Sequence, residues 1–370
     1  TTEGGNTHGD GTVYQLVPPS ISGGAWTLNV LYSFNGSTDG GTPLGGLTLD
    51  SAGNLYGTAY KDGSPTFKGG VVFELSPPAS SGGAWTYNVI YTFGTSGSSD
   101  GANPWGNLIF DSAGKLYGAT FGGGSGSKTF CGSVGCGTAY ELSPPSGGSG
   151  AWTETVLYNF APSGSPDGFT PNGVMFGAGG VLYGTAEQGG LHGDGTFFRL
   201  TPPSVSGAAW TERNIYHFGV SAIDAKGPNV LTVGPGGVLF GTSEHGGTKD
   251  AGTVFELSHP TSGAWTESVL YSFLDGDDGS TPVGGVTVGG GGKLFGTTLA
   301  GGSDSQGTVF RLKPPSVSGG PWTKIILHNF TNSPDGSGPF ANLLLSGGTL
   351  FGTTLNGGPA SSGVVFSVVP

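Results

Sequence analysis

Residues 294–312 read Leu294-Phe295-Gly296-Thr297-Thr298-Leu299-Ala300-Gly301-Gly302-Ser303-Asp304-Ser305-Gln306-Gly307-Thr308-Val309-Phe310-Arg311-Leu312. Two short apolar runs flank a loop of glycine and small polar residues, and neither run carries the i, i+3, i+4 spacing of a helix. In the second run Phe310 and Leu312 share one face while Arg311 takes the other, which is the alternation of a half-exposed strand. The stretch is not unique. Its second run returns at Gly11, Gly70, Gly137, Gly195, Gly252, Gly307 and Gly363, as in GTVYQL, GVVFEL and GTAYEL. Its first run returns with a central glycine at Gly57, Gly118, Gly184, Gly241, Gly296 and Gly352. Self-similarity at a period of about 55 to 67 residues governs everything else in the reading.

Working outward, each period holds four strand candidates, A to D. Strand A is an apolar, nearly uncharged run such as residues 45–50 or 284–288, and a glycine-containing turn leads it into strand B, as in Asn54-Leu55-Tyr56-Gly57-Thr58. A glycine-rich loop of variable length joins B to C, where the polar position is Gln15, Glu74, Glu141, Arg199, Glu256 and Arg311 in turn. Strand D runs from Trp26, Trp85, Trp152, Trp210, Trp265 and Trp322 to Phe34, Phe93, Phe160, Phe218, Phe273 and Phe330. Four antiparallel strands, uncharged on one side and half-polar on the other, match a propeller blade. Glycine in every strand B is expected where neighbouring sheets approach closely. A solenoid would need capping ends, and neither terminus changes character. The reading is therefore all-β: one β-propeller domain over residues 1–370, of six blades with four antiparallel strands each, and strand A lining the axis. Repeats start near 11, 70, 137, 195, 252 and 307, with residues 363–368 as a closing strand. Six A, six D and seven C strands make the last sheet close with strand D from the N-terminal region and leave one C strand over. Seven blades is the alternative, since Thr1-Thr2-Glu3 aligns with Thr185-Ala186-Glu187 inside a repeat.

Composition agrees. Seventy-eight glycines and 25 prolines among 370 residues would suggest disorder, but 22 Phe, 12 Tyr and 7 Trp are spread along the chain and supply a core. The net charge of −12, with only 12 scattered Lys and Arg, makes nucleic acid and anionic membrane surfaces poor partners. No run of about 18 apolar residues exists, so no membrane span is expected, and no charged-then-apolar leader is visible. Cys131 and Cys136 lie in one glycine-rich segment, too few for a four-ligand metal site, and are expected to form a local disulfide in an oxidising compartment.

The run Leu-Tyr-Gly-Thr, a Gly-Gly loop, Gly-Thr-Val-Phe-Glu-Leu, then Leu-Tyr-Ser-Phe and Asp-Gly resembles the GloVer tandem repeat of secreted bacterial proteins. Residues 182–198 and 294–310 carry it well. The resemblance covers essentially the whole chain and implies an exported or cell-surface protein. That family has no established activity, so no catalytic residue carries over.

Three constellations stand out. The D-to-A loops repeat Asp-Gly at Asp39, Asp100, Asp167, Asp278 and Asp335, with Asp224-Ala225 as a degenerate sixth. On one propeller face these carboxylates would suit calcium, although Asp-Gly also simply builds a turn. Glu3, His8 and Asp10 recur at the same spacing as Glu187, His192 and Asp194, a set able to hold a transition metal or merely the shared descent of two solvated loops. The Trp residues that open strand D follow Pro-rich loops in a fixed place, so packing explains them better than sugar stacking. Trp105 differs, standing where other repeats have Leu44, Val283 or Phe340. No nucleophile elbow, zinc-protease helix or phosphate loop occurs. The expectation is a non-enzymatic extracellular structural or interaction module without an obligate cofactor, self-assembling through a terminal strand. The alternative is a lectin-like propeller taking calcium or cell-surface polysaccharide.

Overall fold

The structure is a computed structural model. It describes residues 9–370 except 22, 64–68, 81, 95–98, 126–130, 132–134, 148–149, 161–166, 206, 260–263 and 318. The fold is an all-β, six-bladed propeller with four-stranded antiparallel blades. A hairpin comes first, β1 (Thr12–Val17) paired with β2 (Thr27–Ser33). Blade 1 follows, in the order β3 (Thr48–Leu49), β4 (Leu55–Ala59), β5 (Val71–Ser76) and β6 (Thr86–Thr92). Blade 2 is β7 (Gly101–Phe110), β8 (Leu116–Gly123), β9 (Thr138–Ser143) and β10 (Thr153–Asn159). In blade 3 strand A is broken into β11 (Gly168–Pro171) and β12 (Met175–Phe176), both on β13 (Leu182–Gly189), followed by β14 (Thr196–Thr201) and β15 (Thr211–His217). Blade 4 repeats this with β16 (Ala225–Pro228), β17 (Thr232–Val233), β18 (Leu239–Gly246), β19 (Thr253–Ser258) and β20 (Thr266–Ser272). Blade 5 is β21 (Thr287–Val288), β22 (Leu294–Thr298), β23 (Thr308–Lys313) and β24 (Thr323–Asn329). Blade 6 has β25 (Ser337–Pro339), β26 (Leu344–Ser346), β27 (Thr349–Asn356) and β28 (Val365–Val368).

Residue contacts group the chain into two compact units, residues 1–165, 169–183 and 200–212 in one and residues 166–168, 184–199 and 213–370 in the other. In both, strands B and C are the most buried elements. In β5, Val71, Val72, Phe73 and Leu75 are buried and Glu74 is half-buried, and β19 repeats this with Val254, Phe255, Leu257 and Glu256. A bulge between C and D recurs at Val13/Tyr14, Val72/Phe73, Val254/Phe255 and Val309/Phe310, re-aiming the second half of strand D.

The strand-B glycines correct an expectation. A Cβ on Gly57 would lie 2.6 Å from the Phe73 ring, on Gly296 2.6 Å from Phe310, and on Gly352 2.4 Å from Phe366. Each is the register partner one strand over. Glycine thus makes room for an aromatic ring laid across the same sheet, rather than for a neighbouring sheet.

Blades meet through one repeated joint. Five of the six Phe residues that end strand D are fully buried and stand edge-on to the strand-C aromatic of the next blade: Phe34 to Phe73 at 5.4 Å, Phe93 to Tyr140 at 5.0 Å, Phe218 to Phe255 at 5.1 Å, Phe273 to Phe310 at 5.2 Å and Phe330 to Phe366 at 4.9 Å. Burying each such ring is worth about 1.5–3 kcal/mol. Beside it, the residue before the strand-A proline donates its N–H to a carbonyl of the preceding sheet: Thr42 to Asp10 at 2.8 Å, Asn103 to Gly69 at 2.6 Å, Thr170 to Cys136 at 3.1 Å, Gly227 to Asp194 at 2.9 Å, Thr281 to Ala251 at 2.9 Å and Gly338 to Gln306 at 2.9 Å. All six donors have φ between 55° and 64°, unusual for Thr and Asn, and the joint holds them there.

The hairpin β1–β2 joins blade 1 in this same way, through Asp10 and Phe34. Both terminal C strands therefore find places: β28 pairs β27, and β1 pairs β2. Among the described pairings β2 joins only β1. Cys131 and Cys136 are bonded, as expected. No helix among the described residues is long and apolar enough to cross a membrane.

Candidate functional site

In an antiparallel blade the B–C loops and D–A turns come to one end and the A–B turns and C–D loops to the other. Residues shared by all repeats build the joints, so chemistry specific to this chain is sought where repeats differ. Two positions stand out, both at the B–C end. Three residues past the strand-B glycine lie Tyr60, Phe121, Glu187, Glu244, Leu299 and Leu355, and just after the strand-A proline lie Leu44, Trp105, Asn172, Asn229, Val283 and Phe340.

In the first unit these positions gather aromatics. Trp105 stands edge-on to Tyr60 with centroids 5.7 Å apart, and Phe121 lies 6.3 Å from both. All three rings are half-buried. Asn103 Nδ2 donates to the Tyr60 carbonyl at 3.0 Å, which fixes the chain under the ring. Trp105 was legible as an odd aromatic, whereas Tyr60 and Phe121 were missed. Their signal was the repeat position they share with Glu187 and Leu299.

In the second unit the same positions are polar. Glu187, Gln188, Gly193, Asp194, Lys226, Gly227, His245 and Asp250 line a hollow of about 430 Å³. The hollow unites Glu187 and Asp194 but not His192, which is exposed and adjoins His217 instead. Burial and then the Glu187 charge push the neighbouring Glu244 carboxyl up. Of the matching earlier set, Glu3 and His8 lie outside the described residues, and Asp10 serves the joint with blade 1. Lys226 and Asp250 carried no sequence signal, while His245, beside Glu244, partly echoes the Glu187 and His192 set.

The Asp-Gly carboxylates staple their own turns. Asp39 accepts from Tyr32 Oη at 2.8 Å and the Asn35 N–H at 3.0 Å, and Asp100 from the Gly94 N–H at 2.9 Å and the Gly101 N–H at 2.8 Å. Asp224 accepts from the Val220 N–H at 2.8 Å and Tyr216 Oη at 3.2 Å, and Asp278 from Tyr271 Oη at 2.7 Å and the Leu274 N–H at 2.8 Å. At Asp335, burial alone would raise the pKa, but bonds from Thr331 and His328 hold the carboxyl below its usual range. Asp167 is buried like Asp39 and Asp100. N–H and O–H donors surround these oxygens, an arrangement that favours turn building over a calcium ring. Among the described residues no group of three or more His, Cys, Asp or Glu is placed to hold a metal.

The same aspartates face the next strand D, two residues past its Trp. Tyr87 stacks on Tyr32 at 3.8 Å in the first joint, and Lys324 meets Asp278 Oδ1 at 2.9 Å in the last. Between them sit like charges. Burial first and Asp100 second push Glu154 up to about 7, and burial and then the bond to Asp224 push Glu267 up to about 9. Three of the strand-D tryptophans pack on neighbouring rings, Trp265 on Phe197 at 5.1 Å, Trp322 on Phe240 at 6.3 Å and Trp152 on Tyr56 at 6.2 Å, whereas Trp26 is exposed.

Blades, joints and a variable loop end define the chain as a β-propeller. Among solved structures it is similar to a putative glucose dehydrogenase of Thermus thermophilus, at 16% identity over 88% of this chain and 96% of that one, with a TM-score of 0.48. It is also similar to an ulvan lyase of a new polysaccharide lyase family, at 12% identity over 90% and 85%, with a TM-score of 0.50. Such likeness concerns the fold alone. The Gloeobacter/Verrucomicrobia repeat matches residues 125–366, well over half of the sequence, and the chain belongs to that family. No curated protein matches it.

Proposed function

We propose that this propeller is a non-enzymatic, extracellular interaction module that meets its partner with the end of the blades bearing the B–C loops. One observation carries this reading: residues that vary between repeats, Tyr60, Trp105 and Phe121 in one unit and Glu187, Lys226 and His245 in the other, lie at that end of their own blades, whereas repeat-invariant residues are consumed by the joints. The disulfide agrees with an oxidising compartment. The test replaces Tyr60, Phe121, Glu187 and Glu244 together by Leu, the residue that Leu299 and Leu355 already place there. Retention on bacterial envelope polysaccharide should be lost with the melting temperature kept. Unchanged retention refutes the reading, and release of reducing ends from the same material refutes its non-enzymatic part.

A second reading, assembly of copies through the terminal strand, rests on β28, which pairs β27 on one edge and carries the exposed Val365. Light scattering decides it: the 36.8 kDa mass of a single chain at every concentration ends it.

A further inference from the structure

We propose that the Tyr60–Trp105–Phe121 cluster is a binding platform for the pyranose rings of a neutral polysaccharide, which deepens the interaction-module reading and rests on it. The blade does not require these rings. Blades that place Leu299 or Leu355 and Val283 at the same two positions build the same joints, so packing does not explain three aromatics converging at one.

The rings are held before any ligand arrives. Tyr60 continues the end of β4, Phe121 lies within β8, and Trp105 is pinned in β7 between Pro104 and Gly106. Gly106 has φ of 79° and approaches the Asn172 carbonyl so closely that a Cβ there would lie 2.4 Å from it. Asn103 ties the Tyr60 backbone to β7 at 3.0 Å. A rigid aromatic surface loses little conformational freedom on binding.

Size and charge select the ligand. A fully buried aromatic covers about 150–250 Å². Three largely buried rings therefore leave at most roughly 200 Å² to offer, well short of the approximately 800 Å² per partner of a stable protein interface. One or two sugar rings suit that area. Their C–H faces stack on the aromatics while ring-edge hydroxyls reach water and the flanking Lys61 and Asp62, of which Lys61 is exposed. The net charge of −12 opposes acidic glycans and favours neutral ones.

The test uses the whole chain against insoluble cellulose and chitin, soluble xyloglucan, and polygalacturonate as the anionic probe. Tyr60→Leu and Trp105→Leu are the variants, since Leu299 and Leu44 hold leucine at those positions and such blades fold. We expect retention on at least one neutral probe, weakened at least tenfold by either variant, with the melting temperature unchanged and Lys313→Ala, an exposed residue at the other end of its blade, without effect. Equal retention of wild type and variants, retention on polygalacturonate alone, or no retention on any neutral probe overturns the proposal. Where Trp105→Leu leaves binding intact but the fourfold leucine variant abolishes it, the platform falls and the interaction-module reading stands. Where neither variant alters binding, both fall.

Discussion

The pair formed by Glu267 and Asp224 makes folding take up a proton near neutral pH. Asp224 is buried and already accepts from Val220 and Tyr216, and Glu267 meets it across the joint while also accepting from the Ala225 N–H. Two carboxylates this close do not both stay ionised, so Glu267, pushed up to about 9, keeps its proton in the folded state and loses it on unfolding. A group raised in the folded state contributes stability that is present at low pH and lost as pH rises towards its folded value. One such proton gives a slope approaching 1.4 kcal/mol per pH unit between about pH 5 and 8.5. Glu267→Gln replaces the protonated carboxyl by an amide that donates to Asp224 at any pH, and should remove that slope. Urea unfolding followed by tryptophan fluorescence at pH 5.5, 6.5 and 7.5 should show wild type losing about 2 kcal/mol more than the variant across the range. Identical pH slopes in the two proteins would refute the shared proton.

Glu154→Gln should act likewise between pH 4.5 and 7, with a smaller gain of about 1 kcal/mol because Glu154 is partly exposed and its interaction screened. Asp50, Glu141 and Asp335 shift downward and lose their contribution as pH falls below about 4, so the melting temperature of the wild type should peak near pH 5. Lys324→Ala leaves Asp278 without its cation in a buried joint and should cost about 3 kcal/mol, measured by urea unfolding at pH 7. Gly296→Ala drives a methyl into the Phe310 ring and should cost about 1–3 kcal/mol in the same assay, whereas Gly291→Ala meets nothing in space and tests only its positive φ. Mass spectrometry of the unreduced chain should find no free thiol, and Cys131→Ser should lower global stability by no more than about 2 kcal/mol because the loop closed is short.

Strand order, blade number and the disulfide were legible because the repeat states each fact several times over. Strand C could be read from one copy, since Phe310 and Leu312 alternate with Arg311 whatever surrounds them. What depends on which side chains meet across a joint was not legible. Nothing local in Glu267 announces that it faces Asp224, because the facing position carries Tyr, Glu or Lys in different blades. The partner of each Asp-Gly carboxylate was in fact visible, as Tyr32, Tyr91, Tyr216 and Tyr271 recur seven to nine residues upstream, but spacing alone did not say that they bond. The Glu-x4-His-x-Asp spacing likewise did not say which of its members come together: Glu187 and Asp194 line one hollow, whereas His192 lies close enough to His217 for their charges to interact.

Because the amide clasp and the edge-on phenylalanine recur at successive joints with the same geometry, the blades are interchangeable links. Duplication or loss of one repeat, such as residues 252–306, would rejoin a Phe and a backbone carbonyl to a new neighbour offering an equivalent ring and the same N–H. Copy number can then drift through unequal recombination without any joint having to be reinvented, while the few residues outside the joints are free to diverge link by link.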